Sequence, residues 1–315
     1  MQIVLANPRG FCAGVIMAID TVDEALKIVG APLYVYHEIV HNRHVVDRFE
    51  KQGVTFVDSI DEVPPGATVV FSAHGVSPEV RNAAKARGCT LIDATCPLVT
   101  KVHMEAIRYA RQGYNILLIG HAGHDEVVGT VGEAPGAITI VESPEDVAAL
   151  PFTEDDPLVY LTQTTLSMDD ANVIISAIRE RFAHVKNPPA ADICYATTNR
   201  QHAVRHLAPG ADLCIVVGSK NSSNSVRLTE IAEAADCPAY LVDDVSEIDP
   251  AWLEGVQTLL LTAGASAPEH LVHGIIEHLY EAYGAEVENA QGVPEDMSFE
   301  LPRSLRVLRE ESAAS

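Results

Sequence analysis

The chain has 315 residues, with 21 Lys and Arg against 44 Asp and Glu, a formal charge of −23. An apolar fraction of 47% and a mean hydropathy of +0.10 provide for a substantial core and exclude disordered and collagen-like classes. An acidic balance argues against nucleic acid, no apolar run reaches the roughly 18 residues of a membrane span, and MQIVLANPRGFC carries no export signal, so a cytoplasmic chain with reduced cysteines is expected.

Taken in order, the predicted elements form a repeat of about 90 residues. Each copy opens on a cysteine followed by a helical run: Cys12-AGVIMAIDTVDEALKIVG, Cys96-PLVTKVHMEAIRYARQG and Cys194-YATTNRQHAVRHLAPG. Each run stops at a glycine suited to a C-cap. A β-branched run ending in a polar loop follows, as PLYVYHEIVHN, YNILLIGHAGHDE and ADLCIVVGSKNSSNS. A short strand with an acidic tail comes next (VTFVDSIDEV, ITIVESPEDV, AYLVDDVSEI). A strand, a small polar turn and a helix then complete the unit, in TVVFSAHGVSPEV, PLVYLTQTTLSMDD and TLLLTAGASAPEH. TLIDATC and AADIC read as final strands leading into the next cysteine. The third copy shows no such strand, and the N-terminal QIVLANPRGFC has the form to fill that place. EESAAS reads as a frayed tail.

Short apolar strands alternating with helices predict an α/β fold with mainly parallel sheets. Three pseudo-threefold-related units are expected: residues 13–96, 97–193 and 194–315, the last completed by 1–12. In such folds ligands sit at the carboxyl ends of strands. Counted from the opening cysteines, His41, His124 and Ser222 fall 29, 28 and 28 residues on, and His74, Thr164 and Ser266 fall 62, 68 and 72 on. With Cys12, Cys96 and Cys194, all nine occupy predicted strand-to-helix turns, which a threefold arrangement would gather around one polar centre.

A helix N-terminus favours thiolate, the metal-binding form of cysteine. Three thiolates suit an iron–sulfur cluster with one iron left open; zinc competes, although no C-x2-C pair is present. Cys214, inside LCIVVG, reads as core, and Cys89 and Cys237 as turn residues. The loop Gly218–Ser225 offers hydroxyls and backbone N–H groups at a helix start, a phosphate-binding arrangement or an ordinary N-cap loop. Glu126 is the carboxylate among these turns, a proton donor if it lies by a bound anion and a solvated loop residue otherwise. Thr164 is either a proton relay or an ST-turn residue. His44 and His121 have no repeat partner and read as structural. His37–His41 spells H-E-x-x-H, but the run is β-rich and four residues of strand span about 13 Å, too far for one zinc. His124-Asp125-Glu126 lacks the cysteine half of a deaminase signature.

The motifs NPRGFCAGV, HEIVHN, FSAHGVS, DATCPLVTKVH, GHAGHDEV, TQTTLS, DICYATTNRQ, GSKNSSNS and TAGASAP resemble the 4-hydroxy-3-methylbut-2-enyl diphosphate reductase family from residue 1 to about residue 307. The resemblance implies a [4Fe-4S] cluster on Cys12, Cys96 and Cys194, one per chain, whose fourth iron takes the substrate hydroxyl. It implies two-electron reductive dehydroxylation of an allylic diphosphate in the non-mevalonate pathway of isoprene biosynthesis. His41, His74, His124, Ser222, Ser223, Asn224 and Ser266 would hold the diphosphate, Glu126 would supply protons, and Thr164 would hold the hydroxyl end and relay the proton. A ferredoxin or flavodoxin is the implied electron donor. A zinc phosphohydrolase and an iron–sulfur sensor remain the alternatives from the residues alone.

Overall fold

The computed structural model describes the backbone of residues 1–314 and the side chains of residues 1–310. The first stretch runs β1 (Gln2–Leu5), α1 (Ala13–Val29), β2 (Leu33–Tyr36), α2 (Arg43–Lys51), β3 (Val54–Val57), β4 (Thr68–Phe71), α3 (Pro78–Ala86) and β5 (Thr90–Asp93). It continues with α4 (Pro97–Arg111), β6 (Asn115–Ile119), α5 (Asp125–Glu133), β7 (Ile138–Val141), α6 (Pro144–Ala149), β8 (Leu158–Thr162) and α7 (Met168–Arg181). The last stretch is α8 (Tyr195–Leu207), β9 (Leu213–Val217), α9 (Ser223–Glu233), β10 (Ala239–Val242), β11 (Thr258–Ala263), α10 (Glu269–Tyr283), β12 (Glu286–Asn289) and α11 (Arg303–Ala314).

The strands form three sheets, ordered β10-β9-β11-β1-β12, β3-β2-β4-β5 and β7-β6-β8. Every pairing between them is parallel. The α/β fold with parallel sheets is therefore the one the alternating pattern predicts. Both faces of the five- and three-stranded sheets are covered, which explains their continuous apolar runs. In the five-stranded sheet Leu213, Ile215 and Val217 pack into one core and Cys214 and Val216 into another. In the three-stranded sheet Leu117 and Ile119 divide from Ile116 and Leu118 in the same way.

Helix starts follow the local chemistry. Ser77 caps α3 ahead of Pro78, and Ser143 and Asp146 form a capping box at α6. Gly284, at φ +61°, ends α10 in the left-handed conformation.

The chain separates into two compact units. One comprises Met1–Val15, His41–Arg48 and Tyr195–Ser298 and holds the five-stranded sheet. The other comprises Ile16–Val40, Phe49–Cys194 and the chain from Phe299 onward and holds the other two.

Four elements differ from the sequence expectation. AADIC is not a strand; hydrogen bonds to side chains hold it instead, as described below. In the third copy β1 takes the place beside β11 that β5 takes beside β4, as the sequence leads one to expect, but a further edge strand, β12, pairs with β1; its four residues are all exposed, so no apolar run announced it. The HEIVH segment is a connection rather than strand, because His37 takes φ +56° directly after β2. The tail is helical as far as Ala314, within α11, and Ser315 lies outside the described residues.

Candidate active site

Eight of the nine repeat-related residues lie in strand-to-helix connections or at helix N-caps, and the ninth, Cys194, ends the connection between α7 and α8. Cys12 and Cys194 immediately precede α1 and α8, and Cys96 is the N-cap of α4, where its side chain makes no capping bond. Each backbone is pinned at the cysteine itself: Cys12 N donates to Ala265 O at 3.1 Å, Cys96 N to Ala73 O at 3.0 Å, and Cys194 N to Thr164 O at 3.1 Å. Ala13 N donates to Tyr195 Oη at 3.1 Å, so the residue after Cys194 satisfies the first N–H of α1. These three thiols are half-buried, whereas Cys214 and Cys237 are buried and burial raises their thiol pKa values. Three accessible soft donors at helix starts, with none of the six cysteines in a disulfide among the described residues, are the donor set an iron–sulfur cluster needs.

In the second unit Glu126, the second residue of α5, is 2% exposed. Its Oε1 accepts from Thr164 N at 2.6 Å and its Oε2 from Thr164 Oγ1 at 2.9 Å. Burial pushes its pKa up to about 7, and the nearby Asp192 carboxylate adds to the rise, while the two Thr164 donors pull the other way. Thr164 itself is buried at the end of β8. This is a carboxylic acid that holds a proton near neutrality beside a hydroxyl able to pass it on.

His124 is the N-cap of α5, and its Nδ1 accepts from Glu126 N at 3.2 Å. That bond assigns the ring proton to Nε2, a donor for an anion. The rings of His74 and His124 meet edge to face with centroids 6.0 Å apart. Asp125 stands beside them, 2.8 Å from His37 Nδ1 and 4.0 Å from His74 Nδ1. The bond to Asp125 raises the His37 pKa.

In the first unit the hydroxyls form a chain. Ser222, N-cap of α9, lies 3.2 Å from Ser266 Oγ and accepts from Ser225 Oγ at 3.1 Å; Ser266 Oγ donates to His41 O at 2.9 Å. Asn224 Oδ1 accepts from Ala265 N at 2.8 Å, and its amide reaches Thr197 Oγ1 at 3.4 Å. Ser223 Oγ is buried and finds no partner among the described residues. A buried hydroxyl left unsatisfied at a helix N-terminus fits an absent acceptor such as a phosphate oxygen. Ser225 is admitted by glycine: a Cβ on Gly218 or Gly264 would lie 2.2 or 2.0 Å from its Oγ.

The model of the LytB protein family matches residues 3–280. The chain belongs to the LytB family. The 4-hydroxy-3-methylbut-2-enyl diphosphate reductase of Actinobacillus pleuropneumoniae is 54% identical over 310 residues, covering 98% of this chain and 99% of the relative. The structure of the E-1-hydroxy-2-methyl-but-2-enyl-4-diphosphate reductase from Plasmodium falciparum superposes with a TM-score of 0.97 at 41% identity, covering 99% of each chain. A structure of (E)-4-hydroxy-3-methyl-but-2-enyl diphosphate reductase, described as the terminal enzyme of the non-mevalonate pathway, gives 0.64 at 32% identity, covering 89% of this chain and all of that one.

In this LytB chain each unit gathers its own share of the predicted residues. Cys12, His41, Ser222, Ser223, Asn224 and Ser266 belong to one, and Cys96, Cys194, His74, His124, Glu126 and Thr164 to the other. Sequence reasoning missed His37, Asp125, Asp192, Thr197 and Ser225. All five lie inside the quoted motifs HEIVHN, GHAGHDEV, DICYATTNRQ and GSKNSSNS, so proximity is a usable signal, while their partners become visible only through the structure. His44, read as structural, lies 3.0 Å from Asp244.

Proposed function

We infer that this LytB chain is a 4-hydroxy-3-methylbut-2-enyl diphosphate reductase, an oxidoreductase of the non-mevalonate isoprenoid pathway. It consumes two electrons and two protons, breaks the allylic C–O bond, releases water, and leaves isopentenyl or dimethylallyl diphosphate. Full-length similarity to named reductases supports the reaction. The carrying observation for mechanism is the Glu126–Thr164 pair, a buried acid loaded with a proton near pH 7.

Cys12, Cys96 and Cys194 would hold a [4Fe-4S] cluster, which when bound would supply the electrons and a Lewis acid for the substrate hydroxyl. The side chains do the rest. Ser222, Ser223, Asn224 and Ser266 with His41, and His74 with His124, bind the diphosphate and so orient the carbon skeleton. Thr164 Oγ1 holds the hydroxyl end, and Glu126 delivers a proton through it to the departing oxygen. The buried setting of Glu126 and Thr164 excludes bulk water from that proton path. With the repeats bounded at 13–96, 97–193 and 194–315 with 1–12, each of the three cysteines stands at a junction between consecutive copies. Among the described residues no helix is long and apolar enough to cross a membrane. The working setting is the cytoplasm, with a small acidic ferredoxin or flavodoxin as electron donor and no nucleic-acid partner.

The test is anaerobic purification with iron, sulfide and zinc analysis, followed by an assay of dehydroxylation with a chemical reductant. About four irons and four sulfides per chain, lost in Cys12→Ala, Cys96→Ala or Cys194→Ala, together with both isoprenoid products, is the expected result. One zinc without sulfide would sink the cluster.

A further inference from the structure

Two of the cluster cysteines are approached by backbone that belongs to no strand or helix, and a cation grips each approach. Ahead of Cys194, Lys101 Nζ donates to Ala190 O at 2.9 Å, Ala191 O at 3.2 Å and Asp192 Oδ1 at 2.7 Å. Asp192, its side chain fully buried, accepts from Thr162 N through its other oxygen at 3.0 Å. The segment that failed to become a strand is thus tied to α4, which begins at Cys96, and to the end of β8, which delivers Thr164.

Ahead of Cys12, the fully buried Arg200 donates to Gly10 O from Nε at 3.2 Å and from Nη2 at 2.7 Å. Its remaining N–H groups go to Ala196 O at 2.9 Å and to the Glu295 carboxylate at 3.1 and 3.2 Å. All five guanidinium donors are therefore used. Gly10, at φ +67°, and Asp192 each lie two residues before their cysteine. Lys101 and Arg200 lie five and six residues after Cys96 and Cys194, at neighbouring places in the repeat. The matching places after Cys12 hold Met17 and Ala18, both buried and uncharged.

We propose that Lys101 and Arg200 are positioning residues, each in the helix that follows one of these cysteines and clasping the backbone that leads into a different one: Lys101, after Cys96, for Cys194, and Arg200, after Cys194, for Cys12. Charge-assisted bonds to main-chain carbonyls hold segments that lie outside any strand, adding to backbone bonds such as Gly10 N to Ala263 O at 3.2 Å, and so fix where each thiolate stands. The inference rests on the reading of these cysteines as cluster ligands.

The test uses the anaerobically purified, cluster-loaded full chain and the variants Lys101→Met, Lys101→Arg, Arg200→Met and Glu295→Gln. Cluster loss in air is followed by visible absorption. Iodoacetamide labelling of each cysteine, resolved by mass spectrometry with Cys89 as internal reference, follows stripping with a chelator. Lys101→Met is expected to lose the cluster about tenfold faster and to label faster at Cys194 but not at Cys12, with Lys101→Arg restoring both. Arg200→Met and Glu295→Gln are expected to speed labelling at Cys12 but not at Cys194; if Arg200→Met does not fold, Glu295→Gln decides that arm. A uniform rise at all three cysteines, or none, overturns the proposal. Wild-type protein without iron and sulfide would end the cluster reading, while the crosswise labelling pattern would still decide the clasp.

Discussion

Glu126 keeps its proton because burying an ionised carboxylate costs more than two donors from Thr164 return, and the balance falls at about pH 7. A general acid with that pKa is half-loaded at neutrality, so turnover should decline as pH rises through about 7. Glu126→Gln should lower kcat by about two to four orders of magnitude and flatten that limb, read from kcat against pH. Thr164→Val removes the Oγ1 donor but keeps the backbone one. The ionised carboxylate loses a partner, so the limb should move to higher pH; movement to lower pH would contradict the assignment. The linkage to stability has a defined sign. The folded pKa exceeds the ordinary 4.5, so the folded chain holds the extra proton between about pH 4.5 and 7, and the associated stability is full below that window and lost across it. Glu126→Gln cannot ionise, and its unfolding free energy relative to wild type should rise by about 3 kcal/mol over the same window, measured by denaturant titration. Ser223 supplies the opposite lesson. Its orphaned buried hydroxyl costs stability in the absence of ligand. Ser223→Ala should raise the midpoint of unfolding by the equivalent of about 1 kcal/mol while raising KM for the diphosphate substrate. These residue-level roles were partly legible: the polar turns marked Glu126, Thr164 and Ser223, but the bond between Glu126 and Thr164 joins positions 38 apart and has no sequence signature.

At the scale of elements, the β-strand ends and helix starts carry the site, and their legibility follows burial. Strands such as β6 and β9, covered on both faces, write continuous apolar runs that the sequence displays. β12 is exposed at all four positions and reads EVEN, so its place beside β1 is set by tertiary pairing rather than by composition. AADIC misled in the other direction: it ends like a strand, but Asp192 turns inward to Lys101 and to Thr162 N, and those bonds replace a ladder. The junction of β9, β11 and α9 is the tightest of these arrangements. Ser225 sits against Gly218 and Gly264 at the ends of those two strands, so Gly264→Ala forces a Cβ to 2.0 Å from Ser225 Oγ. Displacing α9 by the amount needed should cost about 1–3 kcal/mol. It should also weaken binding of inorganic diphosphate by moving Ser222 and Asn224, measured by calorimetry on the same preparation used for thermal unfolding. Retained stability with retained diphosphate affinity would show that this junction tolerates a methyl group and does not set the anion-binding loop.

For the whole molecule the governing quantity is the charge of −23. The proposed diphosphate site is compatible with it because its donors are local: a helix N-terminus, hydroxyls and imidazoles act over a few ångströms, within a Debye length, where net charge matters less than aimed dipoles. Electron transfer from the proposed protein donor is different, since that donor would approach from outside. A ferredoxin or flavodoxin of acidic surface meets long-range repulsion, with a Debye length of about 30 Å at 0.01 M salt and about 8 Å at 0.15 M. The second-order rate of reduction by such a donor should therefore rise as salt is added from low ionic strength and level off near physiological values. Reduction by a small neutral reductant should be insensitive to salt over the same range, which separates docking from chemistry. Stopped-flow absorbance of the reduced donor, followed at increasing salt, checks both. A rate that instead falls with salt would mean that a local basic patch outweighs the net charge at the docking face. Charge reversal of exposed Lys and Arg side chains, one at a time, would then locate that face by the loss of the salt dependence.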